Sequence, residues 1–204
     1  MLNFDVEANP RKYFDSKTYT NPNIAISFQE ERGVSARVIL RHLCRKAIEK
    51  NIRTICIAQH EKAFHSWVSS YADSKRFSDR IMLDIAKPDD VPDVESLNGY
   101  RFVYIHIAEN AEDIHAIGSR LVRLMQRTLD NKNKEVIAVA DLGIFSEDDQ
   151  AFVAEFSRVC RAYATGLWTV VPVEDRTPAE QKIFTNAATR VVGMDYENGG
   201  FRTE

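Results

Sequence analysis

The run from Ile24 to Ala58 constrains this chain more than any other. It reads as an apolar segment (IAISF), a polar loop (QEERGVS), a stretch of helical period (ARVILRHLCRKAIEKN) and a second apolar segment (IRTICIA). Short β-branched runs separated by a helix of this length give two strands joined by a crossover, and such strands lie parallel. The alternation continues. Strands are expected at 24–28, 52–58, 81–85, 102–107, 135–141, 167–173 and 189–194, and helices at 35–50, 61–72, 112–129, 147–164 and 178–187. Residues 87–99 carry Pro88, Pro92 and Gly99 and read as a loop with a short helix, and 131–134 as a turn. The expected fold class is α/β, a mostly parallel central sheet flanked by helices. Right-handed crossovers put the loops that follow strand C-termini on one edge, where ligands bind in such sheets. Residues 1–23 are polar, with Pro10 and Pro22, and read as an N-terminal arm that Phe4, Tyr13, Phe14 and Tyr19 pin to its own domain or to a neighbour. Residues 24–204 are expected to form a single domain, with a polar tail after the last strand.

The loop between the first strand and its helix has the length of a phosphate-binding loop, G-x-x-x-x-G-K-[ST]. In that motif glycines let backbone N–H groups approach phosphate, the lysine reaches the β- and γ-phosphates, and the hydroxyl holds magnesium. Here the frame is Phe28 to Ser35. Gly33 and Ser35 stand in place, but Phe28 replaces the first glycine and Val34 replaces the lysine. Glu30 and Glu31 put negative charge where a polyanion would sit. An unpaired buried charge costs several kcal/mol, and like charges at close range add about 1 kcal/mol or more each. The helix N-terminus returns about 0.3–1 kcal/mol. The balance is against ATP unless Arg32 or Arg37 takes over the lysine's work. The structural reading makes Ser35 a helix N-cap and Gly33 a turn residue.

The formal net charge of -3 gives no global basic field to draw the chain to nucleic acid or anionic lipid. No apolar run approaches the ~18–20 residues needed to span a bilayer. The N-terminal residues lack the apolar core of a signal peptide. The three cysteines, Cys44, Cys56 and Cys160, fall in apolar elements without metal spacing and read as buried free thiols. A cytoplasmic location without disulfides is expected. His60 and His65 have no companions at ligand spacing. Local basic character is confined to Arg37, Arg41, Arg45, Lys46 and Lys50 on the 35–50 helix and to Lys132 and Lys134 in a turn. Such a face is either solvated or a nucleic-acid contact.

Five segments in order resemble the HerA/FtsK superfamily of RecA-like P-loop motor ATPases. The likeness is to the branch holding DNA-pumping helicases, conjugation and type IV secretion ATPases, and viral genome-packaging ATPases. They are the strand-loop-helix above, RTICIAQHEKAF, KEVIAVADLG (similar to a Walker B strand), SRVCRAYATGLWTVV (similar to an arginine-bearing helix end before a sensor strand) and IFTNAATRVVG. They cover about residues 24–194. The resemblance implies a RecA-like fold, with Asp141 at the magnesium-supporting Walker B acid and Arg161 at an arginine that reaches a neighbouring subunit's nucleotide. It also exposes the departures. Leu142 stands where a glutamate would polarise water, and that assistance is worth about 10²–10⁴-fold. Pro172 falls near the sensor glutamine. For Asp141 the plain reading is a capping or solvated carboxylate. For Arg161 it is a surface arginine complementing a helix C-terminus.

The expectation is therefore a pseudo-ATPase without a cofactor, working through a protein partner (an active motor ATPase or copies of itself) in DNA translocation, conjugation, secretion or packaging. One alternative is an ATPase that binds ATP and Mg through Arg32, Gly33, Ser35, Arg37 and Asp141, with Arg161 acting in trans. Another is a nucleic-acid-binding module using Arg41, Arg45, Lys132 and Lys134.

Overall fold

The computed structural model describes residues 23–59, 79–129, 135–163, 165–197 and 200–204. One eight-stranded sheet runs through it. The elements in chain order are β1 (Ile24–Ile26), α1 (Ala36–Glu49), β2 (Arg53–Gln59), β3 (Arg80–Ile85), β4 (Phe102–Ile107), α2 (Ile114–Thr128), β5 (Glu135–Val139), α3 (Glu147–Val159), β6 (Thr165–Val170), α4 (Pro178–Asn186), β7 (Thr189–Asp195) and β8 (Gly200–Thr203). The strand order is β3-β4-β2-β5-β6-β1-β7-β8. All pairs are parallel except the last, β7 with β8. The expected α/β class with a mostly parallel sheet is what the chain adopts. Among the described residues no helix is long and apolar enough to cross a membrane.

Strand alternation splits the core in two. On one face Ile24, Ile26, Cys56, Ala58, Phe102, Tyr104, Val136, Ala138, Trp168 and Val191 pack under the α1 residues Ile39, Leu40, Leu43, Cys44 and Ala47. On the other face Ile55, Ile57, Val103, Ile105, Ile137, Val139 and Leu167 pack under α2, α3 and α4. Both faces of the inner strands are dry, which explains why IRTICIA and EVIAV read as continuous apolar runs rather than alternating ones. The three cysteines are buried and free.

Polar side chains tie the edge where the strands begin. Asn23 accepts from the Leu167 N–H at 2.9 Å and donates to the Ser157 carbonyl, so it joins β1, β6 and α3. Arg53 on β2 pairs with Glu135 on β5, which is fully buried, and donates to the carbonyls of Tyr100 and Leu97 at 3.2 Å each. Burial pushes the Glu135 carboxyl up to about 7, with the Arg53 guanidinium pulling the other way.

Several expected boundaries shift for local reasons. The 135–141 strand stops at Val139, because Asp141 caps a 3₁₀ turn over Leu142–Ile144. The 147–164 helix ends at Val159 and tightens into a 3₁₀ turn over Cys160–Ala162. Tyr163, inside the expected helix but beyond the observed one, is half exposed. The short helix in 87–99 is two 3₁₀ turns, Pro88–Asp90 and Val94–Leu97. The tail, read only as polar, folds back as β8. The expected arm, the 61–72 helix with His60 and His65, and the 131–134 turn with Lys132 and Lys134 lie outside the described residues.

Candidate functional site

The sheet has a fork at its centre. The connection leaving β1 runs through α1 to β2, towards the β3 side. The connection leaving β6 runs through α4 to β7, towards the β8 side. The two connections leave in opposite directions over opposite faces of the sheet, α1 against one core and α4 against the other, and a crevice outside the strand C-termini at such a switch point is the usual ligand position. Among the described residues two clefts lie there. The larger, about 660 Å³, is bounded by the loop after β1, the loop after β6 and the β7–β8 hairpin. The smaller, about 410 Å³, lies between Arg37 of α1, residues Ala140–Gly143 and residues Val170–Glu174. They share Phe28, Gln29, Val173 and Glu174.

The loop after β1 is closed on itself. The Glu31 N–H donates to the Val34 carbonyl at 3.1 Å, and the Val34 N–H donates to the Glu31 carbonyl at 2.9 Å. Between them Arg32 and Gly33 have φ of 51° and 76°. Positive φ at both central residues is what a two-residue type I′ turn requires, and glycine supplies the second at no steric cost. Two N–H groups that a phosphate cradle would aim at its ligand are thus spent within the turn. Neighbours hold it in place. The Arg32 guanidinium lies 4.3 Å from the centre of the Tyr196 ring, and the Tyr196 hydroxyl donates to the Glu31 carbonyl at 3.3 Å.

Val34, at the lysine position, is buried in the α1-side core with Ile26 and Ile39. Ser35 is the N-cap of α1, and its hydroxyl accepts from the Val38 N–H at 3.3 Å. Neither cleft is lined by Arg32, Gly33 or Ser35. Arg37 does line the smaller cleft, where it pairs with Asp141 at 3.1 Å. The other oxygen of Asp141 accepts from the Gly143 N–H at 2.9 Å and so caps the 3₁₀ turn. Leu142, at the glutamate position, is buried in the opposite core. The Pro172 carbonyl accepts from the Ser27 hydroxyl at 2.8 Å.

Arg176 locks the two loops together, and no sequence motif marked it. It donates to the Pro172 carbonyl at 2.6 Å, the Ser27 hydroxyl at 2.8 Å and Gln181 at 3.3 Å, and its guanidinium covers the Phe184 ring at 3.9 Å. The adjacent start of α4 is set by Thr177 and Glu180, which form a reciprocal capping box around Pro178. Carboxylates outnumber guanidiniums in both clefts. The larger has Glu30, Glu31, Glu174 and Glu204 against Arg176 and Arg202, and the smaller has Asp141, Glu174 and Glu180 against Arg37.

Among the described residues, the remaining candidates are not brought to this edge. Arg161 lies in the 3₁₀ turn after α3, which leads into β6 at the edge where the strands begin. Arg41 and Arg45 lie on α1, where Arg45 pairs with Glu49 at 2.9 Å. No cluster of three or more metal-ligating side chains occurs among the described residues.

No family model matches the chain, and no curated protein sequence does. Among solved structures the chain is similar to the genome packaging NTPase B204 from Sulfolobus turreted icosahedral virus 2, determined in complex with sulfate. The superposition has a TM-score of 0.50 at 9% identity and covers 86% of this chain and 76% of that one. At that identity the likeness concerns the fold alone. With the sheet described above, it gives the chain the α/β architecture of RecA-like P-loop NTPases.

Proposed function

We propose that this chain is a catalytically inactive relative of the HerA/FtsK-type P-loop ATPases, acting through protein–protein contacts in a DNA-translocation, conjugation, secretion or packaging system. The observation that carries the reading is the loop after β1. It is hydrogen-bonded to itself between Glu31 and Val34, and its lysine position is turned into the core. The state of Asp141 supports it, since that carboxylate is held by Arg37 and by the Gly143 N–H. Leu142 supports it too, because a buried leucine cannot orient water. The surplus of carboxylates in both clefts works against a nucleoside triphosphate. The setting is taken from the packaging NTPase with a similar fold and from the order of the five sequence segments.

Phosphate release from ATP with magnesium tests this reading, comparing the chain with its Asp141→Ala variant. The expected result is the same background rate for both. Turnover that Asp141→Ala abolishes would overturn the proposal and restore the ATPase alternative.

A further inference from the structure

The larger cleft carries chemistry of its own, and the inference from it rests on the reading above that this edge holds no nucleotide. We propose that the cleft binds a lysine- or arginine-bearing segment of a protein partner. Its volume of about 660 Å³ lies in the ordinary range for a binding site. Its apolar lining is Phe28, Val173, Phe184 and Val192. Val173 is 41% exposed, and only Tyr163 joins it as a strongly exposed large apolar side chain among the described residues.

The charged lining has a definite sign once its internal pairs are removed. Arg176 is consumed by three hydrogen bonds and the Phe184 ring. Arg202 reaches Glu31 at 4.0 Å. Among the described residues no ion pair reaches Glu30, Glu174 or Glu204. Three carboxylates around an apolar floor match a side chain with an aliphatic stem and a cationic head, which lays the stem on the floor and carries the charge to the rim. A polyanion would meet only those carboxylates and two committed guanidiniums. A wholly apolar segment would desolvate the carboxylates and leave them unpaired, which costs more than it returns.

The test is fluorescence anisotropy of a labelled lysine–alanine repeat peptide titrated with the full chain at low ionic strength. A glutamate–alanine repeat peptide and a labelled oligonucleotide serve as comparisons. Glu30→Gln with Glu174→Gln removes two exposed, unpaired charges from the cleft. Glu112→Gln with Glu147→Gln removes two charges outside it. The proposal expects the lysine peptide to bind, the cleft pair of substitutions to weaken it about tenfold, and the outside pair to change it less than about twofold. No peptide binding, equal weakening by both pairs, or oligonucleotide binding that responds to the cleft pair overturns it. ATP with magnesium is titrated in parallel. Silence from both ATP and peptide overturns this inference and leaves the inactive-ATPase reading standing, whereas ATP binding overturns the reading that this edge holds no nucleotide, whatever the peptide does.

Discussion

Restoring the missing lysine, Val34→Lys, separates two ways in which a phosphate loop can lack its chemistry. If the loop were an intact cradle with one residue changed, the new ammonium would face the phosphates. Here the side chain at position 34 points into the α1-side core and is 7% exposed. Losing the valine's burial costs about 1.5–2 kcal/mol. Drawing an ammonium towards the core costs several kcal/mol, less whatever the four-carbon stem recovers by reaching water. A net loss of about 3 kcal/mol is expected. For a chain of this size that lowers Tm by about 6–12 °C. Thermal unfolding of both proteins, with and without millimolar ATP and magnesium, is the assay. A repaired cradle saturated a hundredfold above its Kd would gain about 2.7 kcal/mol instead, a rise of about 5–11 °C. The expected result is a lower Tm that ATP does not move. A variant as stable as the parent and further stabilised by ATP would refute the reasoning.

Three more outcomes follow from particular contacts. The folded-state pKa of Glu135, about 7, lies above its ordinary 4.5, so the folded chain keeps a proton that the unfolded chain has released between these values. Its contribution to stability is therefore full below pH 4.5 and is lost as pH rises through about 7, an effect of about 3 kcal/mol, and Glu135→Gln should flatten that part of a denaturant-unfolding pH profile. Gly118→Ala places a Cβ 2.5 Å from the Ile144 carbonyl oxygen, so it should destabilise by about 1–3 kcal/mol in urea, although glycine to alanine ordinarily favours a helix. Arg37→Ala breaks a pair whose side chains are 41% and 31% exposed, so calorimetric unfolding should shift by no more than about 1 kcal/mol, and nucleotide binding should not appear.

The fold was legible because its signals are local and repeated. IRTICIA and EVIAV are apolar on both faces, which requires cover on both sides of the sheet. The periodic runs of α1 and α2 fixed those helices within a residue or two. Element ends were harder to read, because they depend on tertiary partners. Asp141 stops β5 by capping a turn, and the tail becomes a strand only because β7 offers it an edge. At the candidate site, the substitutions Val34 and Leu142 were visible as residue types. Their burial and the hairpin at Arg32–Gly33 were not visible, because an eight-residue loop has the same length whether it cradles phosphate or bonds to itself. Arg176 was invisible for a related reason. Its partners Ser27 and Pro172 meet only when the loops after β1 and β6 converge, and no motif encodes a contact across 149 positions.

Isothermal calorimetry of the full chain with ATP and magnesium, titrated to millimolar concentration, bears most directly on the account. A self-bonded loop, a buried residue at the lysine position and clefts rich in carboxylate predict no heat of binding. Micromolar binding would contradict the account, and the turn at Arg32–Gly33 would then have to open to receive phosphate.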